Sequence, residues 1–227
     1  MYLDMTYVYF VLPALLLAMW AQARVTSTFN RYSKITTQRN LTGRDAARKI
    51  LDANGLHSVK IEWIPGNLTD HYDPKAKVIR LSDSVYDRNS IGAVGVAAHE
   101  AGHAVQHSEG YMPIKLRNSV IPVANIGSYL AFPLAILGIL VSNDLLINTG
   151  IILFSAIVLF QLVTLPVEFN ASNRAVTILA RDVMLNRQEV HGVKKVLSAA
   201  AMTYVAAAAT AVMNLVRLLV LVNRNRD

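Results

Sequence analysis

The chain contains no cysteine among its 227 residues, and this absence removes several classes of function. It excludes disulfide bonds, cysteine-ligated zinc, iron–sulfur clusters and thiol catalysis. Charged residues are also scarce, at 16%, against roughly a quarter in an ordinary soluble domain. Hydrophobic residues make up 53% and the mean hydropathy is +0.35, which excludes a disordered chain and disfavours a simple soluble globule.

In place of charge, the sequence has long apolar runs. A hydrocarbon core about 30 Å thick needs about 20 apolar residues in a helix. Four segments approach or exceed this length: 7–23, 120–141, 145–167 and 196–222. Only Ser142, Asn143 and Asp144 separate the middle two segments, which indicates a tight transmembrane hairpin.

The first and last runs each allow two interpretations. Ala21-Gln22-Ala23 resembles a signal-peptidase site, but a signal peptide has a positive leading region, and the only charge here is Asp4. We therefore expect an uncleaved anchor. The last run is alanine-rich and contains Arg217, so it either spans the membrane or packs against the other helices.

Basic residues are distributed unevenly between the apolar runs. Residues 24–119 contain 14 Lys and Arg and residues 168–195 contain five, whereas the hairpin tip and the first seven residues contain none. Positively charged loops stay in the cytoplasm, so both basic regions are predicted to be cytoplasmic. The same pattern explains the net charge of +7 without a nucleic-acid partner, since no aromatic-basic binding motif is present.

Short elements of mixed type are predicted between the first two runs. Residues 40–54 indicate a helix with Thr42 as its N-cap, and residues 59–64 and 77–81 have the pattern of strands. Residues 90–108 predict a buried helix of small residues. The predicted fold class is a mainly α integral membrane protein with about four transmembrane helices and a small α+β region.

The predicted helix 90–108 contains His99-Glu100-Ala101-Gly102-His103, an HExxH motif. Positions i and i+4 of a helix differ by about 40° in direction, so both imidazoles can bind one zinc ion. Glu100 points beside the metal and can take a proton from zinc-bound water and pass it to the leaving amine. Two surface histidines with a fortuitous glutamate are the alternative, but a charged triplet among Ala and Gly is costly to bury unused.

A catalytic zinc site needs a third protein ligand, and the sequence offers two candidates. His107 continues the i+4 series, but three such residues on a straight helix rarely converge on one tetrahedral ion. Glu168 directly follows the third apolar run, which returns the chain to the side of His99 and His103. Glu168 is the favoured ligand, and an interfacial carboxylate paired with Arg174 is the alternative.

Three motifs resemble the YugP-like family of bacterial membrane zinc metallopeptidases. They are LTDHYDP at 68–74, AAHEAGHAVQ at 97–106 and EFNASNRA at 168–175. The resemblance covers nearly the whole chain, and the wider relatives resemble the HtpX and CaaX prenyl proteases. It implies a gluzincin-type endopeptidase. His99, His103 and Glu168 would hold one zinc ion per chain, with Glu100 as the base.

This chain departs from the family pattern close to Glu168. An acidic residue is expected where Asn170 stands, and the HtpX-type pattern has an Asp where this chain has Ser172. A carboxylate there would orient a ligand histidine. The groups around the ligands are therefore expected to be weaker or built differently.

Peptide hydrolysis also requires a group that stabilises the oxyanion. Arg174, six residues past Glu168, is the predicted catalytic candidate, although a salt bridge or a lipid-phosphate contact would also explain it. His71 and Tyr72 are further candidates, but turn structure is the favoured explanation for both. Strand 77–81 could accept an extended substrate by backbone pairing if it lay at a sheet edge.

These features predict five regions: an anchor (1–23), a cytoplasmic zincin-like region with the HExxH helix (24–119), a transmembrane hairpin (120–167), a helix with the third ligand (168–195), and a hydrophobic helix with a tail (196–227). The predicted function is a zinc endopeptidase of the bacterial plasma membrane. It would cleave membrane or membrane-proximal proteins at the cytoplasmic face. A catalytically degenerate membrane scaffold or regulator that retains the zinc site is the alternative, and the intact Glu100 argues against it.

Overall fold

The computed structural model describes residues 5–182 and 184–224. Three short parts of the predicted regions lie outside the described residues. They are residues 1–4 of the anchor, residue 183 of the helix with the third ligand, and residues 225–227 of the tail. The helices are α1 (Leu12–Tyr32), α2 (Gly43–Ala53), α3 (Ile91–Ser108), α4 (Met112–Leu140), α5 (Asp144–Arg181) and α6 (Arg187–Arg224). The strands are β1 (Lys60–Ile64), β2 (His71–Asp73) and β3 (Val78–Ser82).

In the part of the chain that the structure describes, four helical stretches are long and apolar enough to cross a membrane, which confirms the predicted fold class. They are α4, α5, α6 and the stretch Tyr7–Tyr32, in which a π-helical segment, Tyr7–Val11, leads into α1. The last apolar run belongs to the 38 residues of α6, so it has the length and composition of a membrane span.

The ends of α5 and α6 differ from the predicted boundaries. Glu168 lies inside the unbroken helix α5 and does not begin a helix of its own. The region predicted as one helix, 168–195, comprises the end of α5, a connection and the start of α6.

The described residues form two compact units, and the first is the apolar one. It contains residues 5–22, 112–166 and 202–224. Its helices approach closely at small residues: a Cβ atom at Gly150 would lie 2.7 Å from the carbonyl oxygen of Ala131. Only glycine permits such an approach, which is typical of helix packing in membranes.

The second unit contains residues 23–111 and 167–201, apart from residue 183, and it includes the HExxH motif. Its sheet has the order β1-β3-β2, with β1 parallel and β2 antiparallel to β3. Because β3 pairs on both sides, it is the central strand, and the hypothesis that strand 77–81 accepts a substrate is wrong. The predicted turn region 68–74 contains the short edge strand β2.

Local sequence explains where α2 and α3 begin. Thr42 accepts a hydrogen bond from the backbone N–H of Asp45 at 3.1 Å, so it is the N-cap of α2 as predicted. Ser90 accepts one from the backbone N–H of Ala93 at 3.2 Å and caps α3. Since α3 is rich in Ala and Gly and largely buried, it carries the HExxH motif into the core of this unit.

Candidate metal centre and active site

Two imidazoles project from the same side of α3. The rings of His99 and His103 lie edge to face with their centroids 4.6 Å apart. Their side chains are 15% and 13% exposed, so each is mostly buried but still accessible from the solvent side. This is the arrangement that the i and i+4 spacing predicts for a helix.

Glu168 brings a carboxylate from α5 to both imidazoles. Its Oε2 lies 3.2 Å from Nε2 of His99 and 3.4 Å from Nε2 of His103, and the residue is only 4% exposed. Among the described residues, these three form the group whose potential ligand atoms converge within 4.8 Å of one another. Arg174 pairs with Glu109, at 2.7 Å, instead of with Glu168.

The donor set suits zinc in both chemistry and spacing. Zinc binds imidazole nitrogen and carboxylate oxygen at about 2.0–2.2 Å, which places neighbouring ligand atoms of a tetrahedral site roughly 3.3 Å apart. The distances of 3.2 and 3.4 Å from the Glu168 oxygen to the two nitrogens match this value. Three protein ligands leave a fourth position open, as in catalytic zinc sites.

The electrostatics of the site favour a positive charge at His103. Burial disfavours the charged imidazole of His103, but hydrogen bonding to Glu168 and the negative charges of Glu100 and Glu168 outweigh this effect. The pKa of His103 is consequently raised. A bound cation would meet the same negative environment.

Each histidine has a neutral hydrogen-bond partner at its other nitrogen. Nδ1 of His99 lies 3.1 Å from the hydroxyl of Ser172, and Nδ1 of His103 lies 3.0 Å from Oε1 of Gln106. Such partners orient metal-binding imidazoles. Ser172, which stands where the family pattern leads one to expect a carboxylate, brings a hydroxyl to His99 instead.

Glu100 adjoins this cluster but is not one of its converging ligands. It is 9% exposed, and its carboxylate makes no hydrogen bond or ion pair with any described residue. It follows His99 on α3, which turns its side chain about 100° away around the helix axis. The carboxylate is therefore available to exchange protons with a bound reactant.

Close contact between α3 and α5 holds the two halves of the site together. A Cβ atom at Gly102 would lie 2.7 Å from the carbonyl oxygen of Ala171, and this is closer than real Cβ contacts. Gly102 is one of the two residues between Glu100 and His103, and Ala171 lies three residues past Glu168. The glycine of the motif is thus what allows the carboxylate to reach the histidines.

The other predicted candidates lie outside the converging group. His107 packs its ring against Tyr72, with centroids 5.6 Å apart. His71 is exposed, and its Nδ1 lies 2.9 Å from the carbonyl oxygen of Thr69. The oxyanion role of Arg174 stays a prediction; its guanidinium contacts Glu109.

Two residues near the site were not predicted from the sequence. Gln106 is fully buried and contacts α5 as well as His103. Asp70 accepts hydrogen bonds from the backbone and hydroxyl of Ser82 at 2.7 and 2.9 Å. Burial and the nearby charge of Glu100 raise the pKa of Asp70 despite these bonds. The LTDHYDP motif contained Asp70, but nothing local distinguished it from the second Asp.

The whole sequence was compared with known proteins. It matches the model of the family described as "Putative neutral zinc metallopeptidase" over residues 7–223. It is 48% identical over 223 residues to the "Putative membrane protease YugP" of Bacillus subtilis, covering 98% of this chain and 99% of that protein. No solved structure matches the chain.

Proposed function

Because the chain belongs to this family of zinc metallopeptidases, we propose that it is an endopeptidase that cleaves membrane or membrane-proximal proteins. The four apolar helical stretches of its described residues and its membrane-protease relative support a multi-pass membrane protein. The observation that carries the proposal is the convergence of His99, His103 and Glu168 beside the carboxylate of Glu100, which pairs with no described residue.

His99 and His103 on α3 and Glu168 on α5 would hold one zinc ion per chain. When bound, zinc supplies Lewis acidity that polarises a substrate carbonyl and lowers the pKa of water. Glu168 would also offset the positive charge of the centre, and it is only 4% exposed. The hydroxyl of Ser172 and the amide of Gln106 hold the two rings in place.

Glu100 acts as the general base in this mechanism and then as the acid. Its carboxylate takes a proton from the attacking water and delivers it to the leaving amine. A carboxylate already held by a cation would be a poorer base, so the lack of an ion pair with any described residue supports this role. We retain Arg174 as the candidate for oxyanion stabilisation; to serve, its guanidinium would have to give up part of its contact with Glu109.

The proposed location is the bacterial plasma membrane, with the active site in the cytoplasm. Glu168 follows directly after the apolar run 145–167, so the site lies within a few residues of a predicted span. The basic regions that flank the predicted spans favour a cytoplasmic location for the end of the run 145–167 that precedes Glu168. Substrates would then be membrane proteins or segments close to the bilayer, and soluble proteins only when unfolded.

A metal-dependence experiment tests the proposal. The purified full-length protein should contain about one zinc per chain and digest an unfolded protein such as casein, or a membrane protein, in detergent. A chelator should abolish both, and added zinc should restore both. A protein that binds zinc but digests neither substrate would favour the scaffold alternative. A protein that is active without zinc would exclude the proposed mechanism.

A further inference from the structure

Among the described residues of the second unit, Gln106 is the largest polar side chain that is completely buried. It is 0% exposed and lies between α3 and α5, three residues after the ligand His103. A buried amide is costly unless its donors and acceptor are satisfied. Its three partners are Nδ1 of His103, the carbonyl oxygen of Val167 and Oδ1 of Asn170, at 3.0, 2.8 and 2.9 Å.

These partners determine which way the amide of Gln106 points. The backbone oxygen of Val167 can only accept a hydrogen bond, so the atom that faces it must be the NH₂ group. The same NH₂ group donates to Oδ1 of Asn170. Oδ1 is itself fixed as an acceptor, because Nε of Arg174 donates to it at 2.7 Å and arginine has no acceptor. The carbonyl oxygen of Gln106 therefore faces His103.

The orientation of Gln106 fixes the hydrogen on the imidazole of His103. An amide oxygen only accepts, so Nδ1 of His103 must carry the hydrogen, and Nε2 is left to face Glu168. His99 is not constrained in this way, because the hydroxyl of Ser172 can donate or accept. We infer that Gln106 is a positioning residue that presents His103 to the metal through Nε2, directed by Val167, Asn170 and Arg174.

This inference rests on the zinc site of the proposed function and adds a role for a neutral amide in it. It also explains the departure at Asn170: the position supplies an acceptor that Gln106 and Arg174 share, which an amide oxygen provides without burying a further charge. Loss of a partner that orients a metal ligand typically weakens metal binding about 10- to 100-fold.

The test compares zinc affinity in full-length variants by competition with a chelator. Gln106→Leu removes the amide, and we expect about 10- to 100-fold weaker zinc binding. Gln106→Glu keeps an oxygen facing His103 but loses the NH₂ group that donates to Val167 and Asn170, so it should recover part of the affinity that Gln106→Leu loses. Thr37→Val is the control, because Thr37 is also almost fully buried in the same unit, but its hydroxyl donates to the carbonyl oxygen of Leu41, away from the site. It should lower the melting temperature without changing zinc affinity.

Three results would overturn the inference. One is unchanged zinc affinity in Gln106→Leu, and another is equal weakening by the Leu and Glu variants, which would mean that Gln106 merely ties two helices together. The third does not depend on any variant folding: ring nitrogen shifts of isotope-labelled, zinc-loaded wild type would show His103 bound through Nδ1 instead of Nε2. Failure of the wild type itself to bind zinc would instead remove the proposed function.

Discussion

Glu100 and Glu168 are two buried glutamates of one site with opposite surroundings. Glu168 contacts the imidazoles of both ligand histidines, whereas the carboxylate of Glu100 has no hydrogen bond or ion pair with a described residue. A carboxylate between two imidazoles is suited to hold a cation, and an unpaired one is suited to move a proton. The two residues should therefore fail in different ways when they are changed.

Glu100→Gln should retain zinc and the fold but lose most proteolysis. The amide has the same shape but cannot accept a proton, and general acid–base catalysis typically contributes about 100- to 10,000-fold. The measurement is turnover of an unfolded protein substrate beside metal content. Glu62→Gln, on an exposed side chain of β1, should leave both unchanged. Near-normal turnover in Glu100→Gln would exclude Glu100 as the base.

Glu168→Ala should lose zinc, whereas His107→Ala should keep it. Removing one of three ligands leaves only two protein ligands for the ion. His107 lies against Tyr72 and outside the converging group, so its loss should not change zinc stoichiometry. Metal analysis of both purified variants decides the matter. Full zinc content in Glu168→Ala would exclude Glu168 as the third ligand. Zinc loss in His107→Ala would indicate that His107 is a ligand instead.

At the scale of helices, the approach of α3 to α5 decides whether the site can form. Gly102→Ala would force a Cβ atom against the backbone oxygen of Ala171, 2.7 Å away. Overpacking of this kind costs about 1–3 kcal/mol. We expect a lower melting temperature of the zinc-free protein, together with weaker zinc binding, because α5 carries Glu168.

Gly95→Ala is the matched control on the same helix. Its Cβ atom would lie 3.3 and 3.6 Å from the two Cγ atoms of Val193, which can shift slightly, and the nearest backbone atom, the Cα of Val193, is at an ordinary contact distance of 3.8 Å. Alanine also favours a helix over glycine by about 1 kcal/mol. Gly95→Ala should therefore be close to wild type in stability and zinc affinity. Equal behaviour of Gly95→Ala and Gly102→Ala would contradict the steric explanation.

Elements with local signals could be predicted from the sequence. Thr42 and Ser90 precede runs with helical character, and each caps the helix that follows. The strand β2 could not be predicted, because three residues are too few to show alternation. The central position of β3 likewise depends on pairing with segments on both sides, which no local pattern encodes.

The ligands of the candidate site could be predicted, but their supporting residues could not. The i and i+4 spacing places His99 and His103 together on any helix. No local pattern distinguishes Gln106 from the other residues of its helix. Its role depends on Val167 and Asn170, which are 61 and 64 residues away along the chain. Only the fold brings such partners together.

For the whole molecule, the uneven charge distribution predicts the orientation in the membrane, and the absence of cysteine makes it measurable. Ser58 and Ser142 are both exposed, and Ser→Cys changes little in size. In intact cells, an impermeant maleimide should label Ser142→Cys at once, in the turn between α4 and α5. Ser58→Cys should be labelled only after lysis. The reverse pattern would place the active site outside the cell.

The distance along the chain between the ligands has a consequence for the newly made protein. His99 and Glu168 are 69 residues apart, and the hairpin 120–167 lies between them. At about 5–20 residues per second, a ribosome needs roughly 3–14 s to travel from one ligand to the other. During that interval the HExxH helix exists without its carboxylate partner. The nascent chain therefore lacks the complete proposed metal site while its predicted hairpin is still being synthesised.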